Sequence, residues 1–474
     1  MKAKVKTFIQ RFSCLIAVFC LDASGNAQTR DGGQSSWDQG NCQQTAEHFS
    51  KKAGNTMDSK DSIQLKLEEG AAWRAAGKYE QSNQAFELAE DRVNYYDEQA
   101  KIKVSSTAKS TILGPSALPY EGHAYDKIMM NTYKALNYMQ VGDFEKARVE
   151  LNRALERQRE AVELNAARLE KAQEKAKKQE NQPDMEQIQS DEEFQSDVKK
   201  EYSDLDAMKA YADYVNPLTV YLDGLFFMTQ SSGNSDYERS RKSFERVLAM
   251  IGENKFIRQD VEAIQKAQAG QSQTPVTYVI FETGQSPVRK EIHMNTPVAL
   301  AGASRGAGKV DRANVAFPKL DLRGQPAASL TVSANGTKES AVLLSSMDSV
   351  IATEFKNERP VIMTQTLSAY FARGAIGSAA GTGGKKGLGG ALANVAITTW
   401  LKMVNHADLR TWTTLPKEFH YCRMATPVDR KLELATANSA ENTALTVGEG
   451  NVNLVWVQSI RENAPLLISQ CKLK

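Results

Sequence analysis

Histidine and cysteine are scarce, with five of each in 474 residues, and none of them stand at ligand spacing. Without a CxxC, an HExxH or a Cys/His cluster, no metal centre is expected. Net charge is almost absent too. The 59 Lys plus Arg residues meet 57 Asp plus Glu, and a formal charge of +2 supplies no field that would gather nucleic acid or an anionic membrane. No apolar run is long enough to cross a bilayer. Phosphate cradles are also missing. Gly306-Ala307-Gly308-Lys309 and Gly383-Gly384-Lys385-Lys386 lack the upstream Gly, and the Ser or Thr after Lys, that a P-loop uses. Nucleotide binding is therefore excluded, and no cofactor is expected.

What is present begins with the layout of an export signal. Lys2, Lys4, Lys6 and Arg11 precede an apolar run from Phe12 to Leu21, and small residues follow. Gly25 and Ala27 stand at −3 and −1 for cleavage before Gln28, so residues 1–27 read as a signal peptide. A lipoprotein signal ending at Cys20 is the alternative, with Phe19 where a small residue is wanted; only then would the chain associate with a membrane. Removal of the signal takes Cys14 and Cys20 and leaves Cys42, Cys422 and Cys471. An oxidising compartment invites one pair and one spare thiol. Cys422 and Cys471, both in the last β-like segment, are the pair expected, against the plainer reading of three unpaired thiols.

Fold class follows from periodicity. The expectation is an α+β chain of more than one domain, in which an irregular tetratricopeptide-like helical stack precedes a β-rich domain built as an antiparallel sheet or sandwich. Residues 28–60, rich in Gln, Gly, Ser, Thr and Asn, read as a flexible lead-in. From 61 to 264 the spacing is helical. Gly70, Trp73 and Ala76 fall on one helix, Gly77 breaks it, and Tyr79, Ser82, Phe86 and Ala89 lie on one face of the next. A second copy turns at Gly142-Asp143 and places Tyr138, Phe144, Ala147, Leu151 and Ala154 in matching positions. A third turns at Asp236-Tyr237, with Ser240, Phe244 and Leu248 behind it. In each copy the aromatic residues would fill the space between antiparallel helices. Residues 156–200 interrupt the stack as an exposed, charged helical insertion with its break at Pro183 and Asp184.

Beyond Ile264 the pattern changes, and 275–474 is the β-rich domain. Strands are expected at Thr277–Glu282, around Ile292, and at Val315–Leu322, Leu330–Val332, Ala341–Leu344, Glu418–Arg423, Lys431–Leu434 and Asn453–Gln458. An insertion at 347–412 divides them, with helices at Met347–Phe371 and Ala391–Val404 and a Gly-rich loop between. One Gly-x-Ser-x-Gly match centres on Ser304, but no amphipathic helix follows it, so a loop is the better reading than a nucleophile elbow.

The segment Pro119 to Gln158 is the densest in polar and aromatic residues at helix-pair spacing. Tyr120, Glu121, Tyr125, Asp126, Tyr133, Asn137, Arg148, Glu150, Asn152 and Arg153 are the candidates for a binding groove, with arginines for carboxylates and tyrosines as anchors. The competing reading is an internal hydrogen-bond network that holds the helices together.

The same segment carries a resemblance. PYEG, then YDKIMMNTYKALNY and ARVELNRALERQ, with TYVIFETG, MDSVIATEF and ADLRTWTTLP later, resembles a poorly characterised family of bacterial cell-envelope proteins with tetratricopeptide-like helices. The resemblance implies an exported protein, often a lipoprotein, in the periplasm or at the outer-membrane periphery of a Gram-negative-type bacterium. Its partners would be other envelope proteins or lipoproteins, in work linked to cell-wall synthesis or outer-membrane assembly. On that basis the expected role is a protein–protein interaction scaffold without catalysis. The alternatives are an enzyme acting on an envelope polymer with Glu121 and Asp126 as acid and base, and a structural subunit of a surface assembly.

Overall fold

The computed structural model of the protein describes residues 32–474 without 55, 56, 58, 103–114, 179–187, 189, 209, 213, 272, 273, 298–311, 325–328, 383–404, 438–441 and 463. The signal segment, Pro183 and Asp184, Ser304, Lys385 and Lys386, and the candidate helix Ala391–Val404 lie outside the described residues.

The described residues of the stretch expected to be a flexible lead-in are largely helical from residue 32 onward. They include α1 (Cys42–Ala53), and Trp37, Cys42 and Ala46 pack with Ala72 and Ile460 in a small core of their own. Composition misled here because the few apolar residues are well placed. Cys42, Ala46, Phe49 and Ala53 recur at three- and four-residue steps and are buried, which is enough to seat one helix.

Three helix hairpins follow: α2 (Ser62–Ala75) with α3 (Tyr79–Ile102), α4 (Ala124–Gln140) with α5 (Phe144–Lys178), and, after α6 (Glu192–Asp206), α7 (Pro217–Thr229) with α8 (Asn234–Ile251). Gly77 and Gly142 take positive φ at the first two turns, a conformation that costs other residues more. In the first hairpin the Ser82 hydroxyl donates to Gly70 O at 2.7 Å, and in the third Ser240 donates to Gly224 O at 2.6 Å. A Cβ at Gly70 would fall on the Phe86 ring, and one at Gly224 would come within 2.7 Å of Phe244. The third hairpin thus repeats the first with one extra helical turn between its glycine and its serine. Phe86, Leu151 and Phe244 are fully buried between their helices, whereas Trp73 and Tyr138 are half-buried on the outer side.

Glycine to alanine inside a helix ordinarily stabilises by about 1 kcal/mol. At Gly70 the sign should reverse, with Gly70→Ala destabilising by about 1–3 kcal/mol because an immobile ring must shift. Urea denaturation of the variant decides this, and a gain in stability would show that the helices do not approach as described.

The charged insertion is only partly solvated. Its second arm, α6, buries Phe194, Tyr202 and Leu205, and the Tyr202 hydroxyl donates to Pro318 O at 2.9 Å. Its charges misrepresented it because the apolar face is narrow.

After α9 (Lys255–Gln268) the chain enters the strands: β1 (Val276–Thr283), β2 (Val288–Pro297), β3 (Arg312–Asp321), β4 (Leu330–Ala334), β5 (Thr337–Ser340) and β6 (Val342–Ser346). Then come α10 (Met347–Thr382), β7 (Glu418–Ala425), β8 (Lys431–Thr436), β9 (Thr443–Thr446), β10 (Val452–Ser459) and β11 (Leu467–Lys472). A five-stranded sheet runs β11-β10-β1-β7-β6, beside a β2-β3 hairpin and a four-stranded sheet β5-β4-β8-β9. The architecture is the expected α+β one, with antiparallel pairing throughout except where β10 lies parallel to β1. That parallel contact needs a long crossover, and the whole stretch from β2 to β9 lies between the two strands in sequence. Both central strands are buried along their whole length, as strands covered on both faces are. Helices and sheets are not separate cores, since Phe86, Tyr133, Tyr221, Tyr278, Trp412 and Trp456 belong to one continuous apolar cluster.

The expected Cys422–Cys471 disulfide is absent. Cys422 sits on β7 opposite Val279 of β1, and Cys471 on β11 opposite Leu454 of β10. With β1 and β10 between their strands they lie about 14 Å apart, about twice the reach of a disulfide. Cys42 is also unpaired, and burial pushes the Cys422 and Cys471 thiols up to about 12.

Candidate functional site

The ten groove candidates do not form one groove. They are distributed along α4 and α5, and most of them are internal. Arg148 reaches Gln230 O at 3.3 Å, and Asn152 accepts from Arg239 at 2.8 Å, which ties α5 to the third hairpin. Glu150 and Arg153 join a buried network around Lys134. The Lys134 ammonium, wholly inaccessible, meets Glu90 at 2.5 Å, Glu150 at 3.1 Å and the half-exposed Glu87 at 3.1 Å. Asn131 donates to Glu90 and Glu150 at 2.8 and 2.7 Å. Burial drives both carboxyls up. The Lys134 charge brings Glu90 below the ordinary carboxylate range, while Glu150 remains above it. This is the internal network that competed with the groove in the sequence.

Tyr133 and Asn137 have a different setting. Tyr133 borders a cleft of about 290 Å³ between the helices and the five-stranded sheet, which Trp37, Arg74, Glu282 and Trp456 also line, and Asn137 reaches it only through its bond to Arg74. Each comes from its own element for a local reason. Arg74 sits in the last turn of α2, one turn beyond Gly70. Tyr133 and Asn137 are four apart and so share a face of α4. Trp456 and Gln458 alternate onto the same side of β10, where Gln458 is opposite Glu282 in the parallel register.

The Arg74 guanidinium lies between two rings, 5.2 Å from the centre of Tyr133 and 5.0 Å from that of Trp456, an arrangement that holds a cation by the ring quadrupoles. Its Nη1 donates to Asn137 Oδ1 at 2.7 Å. Glu282 is buried and accepts three hydrogen bonds, from the Tyr133 hydroxyl at 3.2 Å, Trp456 Nε1 at 2.8 Å and Gln458 Nε2 at 2.8 Å. Burial raises its pKa while the Arg74 charge pulls it down. The cleft therefore presents a fixed, planar donor beside a satisfied carboxyl, on walls of mixed polarity. The chain matches no known protein family, no curated protein and no solved structure. What the site does must accordingly come from its own chemistry.

A second cavity of about 290 Å³ opens at the other end of α4. Tyr120, Tyr125 and Asp126 gather there, all buried, and Glu121 is exposed on its rim. Asp126 Oδ2 accepts from the Tyr120 hydroxyl and from His123 N, the latter at 2.9 Å, half of a capping box on α4. Glu354 of α10 completes the cap across the interface, accepting Ala124 N at 2.6 Å and Tyr125 N at 2.9 Å. Asp126 and Glu121 therefore differ in kind. One is locked into a helix cap and the other is exposed on the rim.

Sequence reasoning missed Arg74, Glu282 and Trp456. Arg74 lies in the first repeat, where only the apolar positions were weighed. Glu282 closes the TYVIFE run, and a carboxyl inside so apolar a strand was the signal available for it.

Proposed function

We propose that the chain is an exported envelope protein that serves as an interaction scaffold, and that the cleft around Arg74 holds a carboxylate or a chain carbonyl of its partner. The observation that carries this reading is the Arg74 guanidinium, clamped between Tyr133 and Trp456 with one bond spent on Asn137 and its remaining donors on the cleft wall. Such a group is already oriented before a ligand arrives, so little side-chain entropy is lost on binding. Aromatic residues and arginine are also the types that dominate binding energy at protein interfaces. The signal layout of residues 1–27 and the family resemblance support the envelope setting.

A photo-crosslinking residue at Tyr79, on the cleft rim, should yield one discrete adduct in cells, whereas the same residue at Val162, 48% exposed on α5, should not. Arg74→Lys keeps the charge but loses the planar fork. It should weaken the purified complex by about 2 kcal/mol, roughly thirtyfold, with circular dichroism unchanged. An adduct of equal yield in that variant would remove the cleft from the interface. N-terminal sequencing of the secreted form should begin at Gln28.

A further inference from the structure

At the N terminus of α4, His123 meets two carboxylates one helical turn apart on α10, Glu354 and Glu358. One ligand atom of each lies within 4.8 Å of the others. His123 Nδ1 is 3.6 Å from Glu358 Oε2, while its Nε2 is 3.4 Å from Arg410 O. A backbone carbonyl on one ring nitrogen sets the tautomer, so Nδ1 turns its lone pair toward the carboxylate, as a metal-binding imidazole does.

Asp61, Asp126, Glu354, Glu358 and Asp408 gather around Arg289 and Arg410. Arg289 is near, with Nη2 3.4 Å from His123 Nδ1 and 3.5 Å from Glu358, but it also serves Asp408.

A separate observation is that buried polar atoms around the site have no partner among the described residues. They are the Tyr125 hydroxyl, Asp126 Oδ1 and Arg289 Nε. The Tyr125 side chain is 2% exposed; its ring is stacked on that of His123 at 5.1 Å, and its hydroxyl feels Asp126, Arg289, Glu354 and Glu358. Unsatisfied buried hydroxyls and carboxylates are uncommon and costly. Water molecules completing the shell of a three-liganded cation would reach such groups.

We propose that His123, Glu354 and Glu358 bind one divalent transition-metal cation, with Zn²⁺ the ion best suited to one imidazole and two carboxylates. The ion would join α4 to α10. The sequence conceals this site because its ligands are 231 residues apart, and only the Glu-x-x-x-Glu spacing on α10 is local.

Full-length mature protein, stripped with EDTA and dialysed, is titrated with Zn²⁺ by calorimetry and melted with and without the ion. One saturable equivalent and a rise in Tm with Zn²⁺ are expected. Glu358→Gln and His123→Gln should each weaken binding beyond the roughly 10–100-fold that outer-shell partners cost, with the apo circular dichroism spectrum preserved. Exposed His293 and His406, which flank Glu291, provide the control, and His293→Ala with His406→Ala should leave the titration unchanged. The proposal is overturned if no saturable equivalent appears, if Tm does not respond, or if binding survives Glu358→Gln and vanishes with the surface histidines. In those cases a shared proton and Arg289 neutralise the carboxylates.

Discussion

Lys134→Ala should cost about 3–5 kcal/mol at pH 7, because it strands Glu90 and Glu150 in the interior without their counter-charge. The loss comes from what remains rather than from what is removed. Replacing all three residues together, as Lys134→Met with Glu90→Gln and Glu150→Gln, should recover most of the stability, since no buried charge is then left alone. Equilibrium denaturation of the single and triple variants separates the two cases. A triple variant as unstable as the single one would mean that packing around the lysine stem, and not its charge, holds the hairpins together.

The pH dependence carries the same argument with a definite sign. In the native protein Lys134 keeps its proton beyond its ordinary range, held by Glu150 and Glu90 against burial. Its contribution is complete below the unfolded lysine pKa and is lost only in strong alkali. Without Lys134, burial acts on both carboxyls with only Asn131 and the half-exposed Arg153 to oppose it, and their folded pKa values rise above the unfolded ones. Groups shifted that way favour folding at low pH and oppose it as pH rises through the carboxylate range. The deficit of Lys134→Ala relative to the native chain should therefore be greatest near pH 7 and shrink toward pH 4. A deficit independent of pH would contradict the network.

Whether a residue could be placed from sequence depended on the length scale of what fixes it. Helix hairpins are local, and Gly70, Ser82 and Phe86 announce theirs within one repeat. Eight strands were likewise visible as apolar runs, whereas β5, β9 and β11 are short or half-exposed and carry no such pattern. Parallel pairing of β10 with β1 joins residues 176 apart in register, which no periodicity encodes. The groove candidates failed for a related reason. Spacing put Tyr133 and Asn137 on one face and Arg153 and Glu150 on another, but only tertiary packing decides that the first face borders a cleft while the second is closed by Glu90 from the preceding hairpin. Arg74 and Glu282, from different elements, acquire meaning only when α2 is laid against the sheet.

Arg410 shows how far such a residue can reach, and its replacement should be comparable in cost to that of Lys134. Its guanidinium, 7% exposed, donates to Asp408 at 2.7 and 2.8 Å, to Asp61 at 3.2 Å, and to the carbonyls of Leu118, Pro115 and Lys60 at 2.8, 3.2 and 3.3 Å. Three segments distant in sequence, the start of α2, the approach to α4 and the return from α10, are held by one side chain. Arg410→Ala should destabilise by about 3–5 kcal/mol, since buried Asp61 and partly buried Asp408 lose their partner together with three carbonyls. Arg410→Lys should recover little, because an ammonium offers three donors from one point and cannot span acceptors arranged around a planar fork. The variants should also differ from Lys134→Ala in where the chain opens. Hydrogen exchange should quicken first around Tyr120 and His123 for Arg410→Ala, and in α3 and α5 for Lys134→Ala. If both variants loosened the same amides, the helix hairpins and the helix–sheet seam would unfold as one unit, as their single continuous apolar cluster allows.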